Sequence, residues 1–434
     1  MKDLLFITVF ISLSMFIFKR PYIGVCLWAW TALLFPNYLL WGFASNIRFN
    51  LIVSIITIFV VFFSAFKAKN LNNGVFYWVL LLLIWASLST TFALAVPELV
   101  FDKYIDFVKV IFLFTMILLT ITKKIHVNAL VLSIILGIGY YSVTEGLKVV
   151  ATLGGHRAWG PGSSIIGDNN HFALAILVII PFAIFAYRNI LVNRYLKWAA
   201  LGFTFISLMA ILGTYSRGGL IGLAFLSFLY ATVYKKKAFV STLFLVVSLS
   251  YAAFVPQQWL ERMDTIKSAD QDNSFMGRVI AWKQSTLVAL DRPFIGGGFL
   301  AIQNLATWTL YAQDFDKLSF VHTKQPDRHY AHAAHSIYFQ VLGEHGFVGL
   351  FIYLMIMLKS YSNIISTNKI LKKNKVDEGW YQEFSDCLLL SLSLYLVVGA
   401  ALNMAYFDIL FVIIALTQVL YRLVKKTESA TNES

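Results

Sequence analysis

The sequence predicts an all-α polytopic membrane protein with about 12–13 transmembrane helices and one large extracytoplasmic loop that carries short helices. Two observations predict it. Of the 434 residues, 59% are hydrophobic and only 13% are charged, whereas an ordinary soluble domain is about 25% charged. Apolar runs of about 17 to 22 residues recur along most of the chain, the length that crosses a bilayer core of about 30 Å. Cys26 and Cys387 both lie in or beside such runs, which argues against a structural disulfide.

The candidate helices cover residues 4–18, 22–40, 51–66, 75–94, 104–121, 127–150, 172–187, 196–214, 220–234, 240–254, 337–358, 388–404 and 409–423. Pro36 stands near the far end of the second. The first stretch lacks a small-residue cleavage site and runs straight into Lys19-Arg20, so it reads as a retained helix rather than a signal peptide. The chain divides into residues 1–255 (helices with short loops), 256–335 (the large loop), 336–424 (the last three helices) and a tail, 425–434.

Basic residues set the orientation. One set of alternate loops holds Lys19-Arg20, Lys67 and Lys69, Lys123-Lys124, Arg188 with Arg194 and Lys197, and Lys235-Lys236-Lys237. The lysine-rich loop 359–375 and the tail with Arg422, Lys425 and Lys426 continue the same side. Short loops rich in Lys and Arg mark the cytoplasm. These loops account for much of the net charge of +13, which therefore implies no nucleic-acid partner. The opposite side receives residues 151–171, the turn 215–219 and the loop 256–335. That puts His156, Arg157, Arg217, Arg278 and His335 on one extracytoplasmic face.

His335 stands where the large loop meets the next helix, in His335-Ser336, nine further residues, then Gly346-Phe347-Val348-Gly349. Charged and ring-nitrogen groups at a bilayer surface are costly and are functional candidates by default. A neutral imidazole accepts a proton near neutral pH, so His335 is a candidate base. His345 is a second candidate for a polar lining position. His329, His332, His335 and His345 do not follow a zinc spacing and have no cysteine beside them, so neither a metal nor a cofactor is expected.

The turn Tyr215-Ser216-Arg217-Gly218-Gly219 joins two helices with almost no loop, and an Arg there needs an anion, a wet cavity or a carboxylate. Simple snorkelling of Arg217 is the plainer reading. Residues 277–290 read as an amphipathic surface helix with Val279, Trp282, Thr286 and Leu290 on one side. Arg278 lies in its first turn, where amide N–H groups also favour an anion; alternatively it is an ordinary solvated charge. Arg157 with Trp159 suits a phosphate and a stacked sugar ring. Asp168-Asn169-Asn170-His171 serves equally as a helix cap or as a substrate contact. Asp102, Lys103, Asp106 and Lys109 lie three or four residues apart and suit mutual neutralisation.

Arginines and a histidine on one face, without a nucleotide-binding glycine loop, point to a lipid-linked diphosphate. Arg forks clamp phosphate oxygens bidentately and would stabilise charge developing on a leaving diphosphate. A nearby histidine would deprotonate an acceptor hydroxyl, which gives glycosyl transfer.

At these residues the chain resembles the O-antigen ligase and polymerase superfamily of bacterial envelope glycosyltransferases. His335 to Gly349 matches the ligase pattern His-[Asn/Ser/Gln]-x9-Gly-x-x-[Gly/Thr/Tyr] in full. Ser-Arg-Gly-Gly at 216–219 and Gly-Arg-x3-Trp at 277–282 resemble the family's two arginine segments, in the family's order. Pro36-Asn37, Trp41-Gly42-Phe43-Ala44, Trp159-Gly160-Pro161 and Asp168-Asn169-Asn170-His171-Phe172 resemble the branch of O-glycosylation ligases associated with exosortase systems.

The resemblance implies metal-independent, inverting transfer of a glycan from an undecaprenyl-diphosphate-linked donor to a protein, lipid or polysaccharide acceptor. The site would face the periplasm from a bacterial inner membrane. Arg217 and Arg278 would hold the diphosphate and His335 would activate the acceptor. Arg157, Trp159, Asn170, His171, Ser216, Ser336, Gly346 and Gly349 are candidate substrate contacts. A repeat-unit polymerase of the same superfamily is the nearest alternative. A lipid-linked-glycan transporter would instead place charges near the bilayer midplane on several helices, and a structural subunit would leave Arg217, Arg278 and His335 unexplained.

Overall fold

The computed structural model describes residues 2–64, 68–162, 164–233, 273–374 and 378–432. Among them are fourteen α-helices and no strand, as expected of a polytopic all-α membrane protein. These are α1 (Lys2–Met15), α2 (Pro21–Leu34), α3 (Phe49–Phe63), α4 (Gly74–Thr91), α5 (Pro97–Thr120), α6 (Lys124–Ala151) and α7 (Asn169–Asn189). There follow α8 (Arg194–Gly213), α9 (Arg217–Val233), α10 (Asn273–Asp291), α11 (Leu305–Ala312), α12 (Ile337–Asn374), α13 (Glu378–Gly399) and α14 (Asp408–Asn432). Six of these, α4, α6, α7, α8, α12 and α13, are long and apolar enough to cross a membrane; α2, α3 and α9 are shorter apolar helices. The helix expected at 240–254 and the start of the large loop lie outside the described residues.

Local chemistry sets the helix ends. Helix α2 stops at Leu34 rather than reaching residue 40, because Phe35 turns left-handed (φ 49°) ahead of Pro36. A residue before proline is pushed out of the α region. Helix α5 starts at Pro97, seven residues before its expected beginning at 104, because proline fits the first helical position, where no N–H partner is needed. Asn73, Asp168 and Asn193 cap α4, α7 and α8 with their side-chain oxygens. The segment expected as the loop 359–375 continues α12 as helix to Asn374.

Among the described residues, basic side chains gather at one end of the bundle. There Arg188 pairs with Glu383 at 2.8 Å, Arg422 donates to the carbonyls of Leu118 and Ile121, and Lys124 lies over the Tyr381 ring. The opposite end carries His335, and it is called here the site end. Helix α1 runs between the two: Asp3 accepts from the Gly42 and Ala44 amides at the site end, and Lys19-Arg20 follow its far end.

At the site end, α10, α11 and a short 3-10 turn (Phe315–Leu318) enclose a small core of their own. Trp308, Phe315, Val288 and Ala281 are its buried centre, and Ala334 belongs to it. The buried face of α10 is not the expected one: Leu290 is exposed, and Ala281, Gln284, Ser285 and Val288 face inward instead. The helix therefore docks on α12 at Gly343, where an added Cβ would stand 3.1 Å from that of Ser285. Small residues let two helix backbones approach this closely.

Helix α12 breaks at Gly346 (φ 69°, ψ −171°). The break frees carbonyls that a continuous helix would satisfy internally, and outside partners take them. Gly297 donates to Gly343 O at 2.9 Å, Gly298 to Glu344 O at 2.8 Å, and Trp85 Nε1 to His345 O at 3.1 Å. A Cβ on Gly346 would meet the carbonyl oxygens of Phe294 and Pro293 at 2.5 and 2.6 Å. Gly346→Ala should therefore destabilise the purified protein by at least about 2 kcal/mol through backbone strain and displacement. Thermal melting in detergent checks this, with Gly202→Ala, where nothing lies within 4 Å, as a variant that leaves the melting temperature near wild type or slightly raises it.

Candidate functional site

His335 is positioned by tryptophan. Arg278 and Trp282 are four residues apart on α10 and so share a face. The Trp282 indole stacks on Phe339 of α12 (5.1 Å between centroids, 7° between planes) and its Nε1 donates to Ala334 O at 2.8 Å. Trp308 Nε1 holds the same segment further back, donating to Asp327 O at 2.7 Å. The chain then turns left-handed at His335 (φ 45°) and enters α12. Left-handed backbone is uncommon for a residue with a side chain and clusters at functional sites.

The opposite wall is the start of α7. Asp168 caps it, accepting from the Asn170 amide at 2.8 Å and the His171 amide at 3.4 Å. His171 Nδ1 lies 2.9 Å from Ile165 O; a carbonyl only accepts, so this nitrogen carries the proton and Nε2 is the basic one. Asn169 donates to Thr214 O at 2.8 Å, and Ser216 Oγ donates to Asn170 Oδ1 at 2.7 Å while accepting the Gly219 amide. These bonds lash the α8–α9 turn, and with it Arg217, to the cap of α7. Tyr215, left-handed at φ 53°, donates its hydroxyl to Gly154 O. Arg157 stacks over Trp159 at 4.4 Å and lies near Tyr215, whose hydroxyl is pushed up by burial against a smaller opposing pull from the Arg157 charge.

Electrostatics tie these pieces together. Burial, then the Arg278 and His171 charges, push the His335 ring down from its usual 6.5 to about 4, against an opposing pull from Asp168. Arg278, His171, Asp168 and His335 therefore form one cluster, with the Ser216–Arg217 turn hydrogen-bonded beside it. Among the described residues, no three His, Cys, Asp or Glu side chains are grouped to hold a metal ion.

Other expected contacts go elsewhere. Ser336 is 1% exposed and its carbonyl accepts the Gln340 amide, so it serves the helix start. Gly346 and Gly349 are buried packing positions, some 16 to 21 Å along the helix from His335 at 1.5 Å per residue. Gly349 closes on the His345 side chain and Trp85. His345 is fully buried, 3.0 Å from Ser89 Oγ, and does not line the cluster. The spacing His-x10-Gly-x2-Gly marks the length of the segment from base to kink, rather than a set of groups that meet. No local pattern signals that Trp282 grips the residue before His335, since that contact spans 52 positions.

The ring titration is measurable. His335 should stay neutral down to about pH 4 in an NMR titration. In Arg278→Ala the midpoint should rise, stopping short of 6.5 because burial remains. The unfolded chain binds this proton at the ordinary value, so the His335 contribution lowers stability as pH falls from about 6.5 to about 4.

Comparison with known families gives two matches that together cover most of the chain. Residues 202–354 match a family model described as O-antigen ligase, and residues 1–191 match a family of unknown function. No curated protein matches the chain significantly. The first match spans the Arg217 turn, the Gly277–Trp282 segment, His335 and the kinked part of α12. It is supported by a multi-pass helical bundle. Residues 202–354, which carry the candidate site, are thus similar to the O-antigen ligase family of the bacterial cell envelope.

Proposed function

We propose that the protein transfers a glycan from a polyprenyl (undecaprenyl) diphosphate donor to an acceptor hydroxyl, with inversion and without a metal. The acceptor is a protein, a lipid or a polysaccharide. The observation that carries this reading is the convergence of the Arg278, His171 and Asp168 charges on His335, beside the Ser216–Arg217 turn. The basic end of the bundle faces the cytoplasm by the positive-inside rule, so the site faces the periplasm of an inner membrane. The motifs in the first half of the chain favour the exosortase-associated branch.

In the proposed reaction, Arg217 and Arg278 fork onto the diphosphate oxygens and offset the charge that grows there as the glycosidic C–O bond breaks. The bonding pair leaves with the diphosphate. The acceptor oxygen forms the new bond to the anomeric carbon from the opposite side, and its proton passes to the neutral His335 ring. A ring held near 4 is a weak base, but a bound diphosphate cancels the Arg278 field and raises it. Donor binding thus strengthens the base only when there is something to attack. Arg157 over Trp159 offers a further phosphate or sugar contact at the rim.

A polymerase that joins repeat units would use the same donor chemistry with a growing chain as acceptor. The product separates the two: a finished glycan on a new carrier, or a lengthened glycan on its lipid. The transporter reading is disfavoured by the gathering of the candidate charges at one end of the bundle.

The test is glycan transfer by purified protein from a lipid-linked donor, with EDTA present throughout. His335→Ala should lower kcat by about 10² to 10⁴-fold, and Arg217→Ala by about 10² to 10³-fold, with melting temperatures unchanged. Full activity in both variants would refute the assignment, and movement of donor without transfer would replace the enzyme with a transporter.

A further inference from the structure

A cavity of about 560 Å³ opens at the site end on the other side of α12 from the arginines. None of its lining residues belongs to α7, α8, α9 or α10; it is built from α2 and the 35–38 turn, α3, α5, residues 164–165, the first turns of α12, the α13–α14 loop with Asp408 of α14, and residues 299–303. Residues 164–165 partition it from the cluster above: Ile165 lines the cavity and its carbonyl accepts from His171 Nδ1 at 2.9 Å. A narrow cleft shares Gln303, Gln340, Glu344 and Asn403 with the cavity and ends at Ala334, the residue before His335.

The lining has the chemistry of a sugar site. Asp106 and Lys109, paired at 3.0 Å and both exposed, stand at its mouth with Lys103. Amides and a carboxyl from Gln303, Gln340, Asn403 and Glu344 lie deeper. Phe299 and Phe107 pack edge-on or tilted against Tyr406 at 5.2 and 5.0 Å, giving an aromatic wall. Glu344 is 4% exposed, and its Oε1 accepts from the Leu300 amide at 3.1 Å. The Tyr406 hydroxyl and the Gln340 amide stand beside the carboxyl, yet its Oε2 and the buried Asn403 Oδ1 close no hydrogen bond of good geometry. Buried polar atoms are normally satisfied, so acceptors left open on a polar cavity wall point to a ligand rich in donors. A polyhydroxyl ring supplies them. The volume falls in the range of about 300 to 1,000 Å³ that suits a small ligand rather than a whole glycan.

We propose that this chamber is a sugar-binding site that anchors a hydroxyl-bearing ring of the acceptor, apart from the cluster around His335. The acceptor role rests on the glycosyl-transfer reading above, whereas the affinity for sugar does not.

The probe is a diazirine-bearing alkyl hexoside, photolysed with the full-length protein in nanodiscs free of sugar detergent, followed by peptide mapping. Label should fall on peptides that contain Lys103 to Lys109 and Asn403 to Tyr406, and unmodified hexoside should compete it away. Glu344→Gln and Asn403→Trp, on different walls, should each weaken competition by about tenfold. Arg217→Ala should lose transfer yet keep the label. Label spread over other segments, label that excess hexoside does not displace, or wild-type competition in both chamber variants would overturn the proposal. Failure of donor turnover with specific chamber labelling intact would instead remove the transferase reading and leave the sugar site standing.

Discussion

The break in α12 at Gly346 is the constraint on which the site end depends. Inside a membrane protein every freed backbone carbonyl needs a partner, because lipid supplies none. Here the partners are Gly297, Gly298, Ser89 and Trp85, and together they draw the 292–298 turn, α4 and α12 into one joint. That joint fixes where α10 leaves α12, and hence where Arg278 and Trp282 can reach.

From the joint, position is passed to chemistry in short steps. Ser285 against Gly343 sets the α10–α12 distance. One turn of α10 toward its start, Trp282 clamps Ala334 and Phe339; one more brings Arg278 beside His335. The other wall is assembled separately, by the cap of α7 and the α8–α9 turn. His335 lies where two independently braced units face each other. Such bracing holds a strained left-handed residue in place and keeps a cluster of like charges from relaxing apart.

The two sides of α12 also divide the polar groups. Arginines and the capped α7 start lie on one side, and amides, carboxyls and aromatic rings line the cavity on the other. The division is physical, since residues 164–165 and the first turns of α12 stand between.

The sequence by itself determined the helical bundle, the order of its apolar helices and the basic character of one set of loops, because hydrophobic length and charge are local properties of the chain; helix ends were less legible, since α2 stops at Leu34 and α12 runs on to Asn374. It also marked His335, Arg278 and Arg217, since ionisable groups near a bilayer are few and costly. Only the tertiary structure decided what the glycines of the histidine motif do. Gly346 and Gly349 were readable as substrate contacts until the 292–298 turn was seen to fill the space at Gly346, and His345 with Trp85 the space at Gly349. It also moved His345 inward against Ser89, and it assembled a chamber from Glu344, Asn403, Tyr406 and Lys103. Those four come from three separate stretches, and no spacing in the chain announces that packing will bring them together.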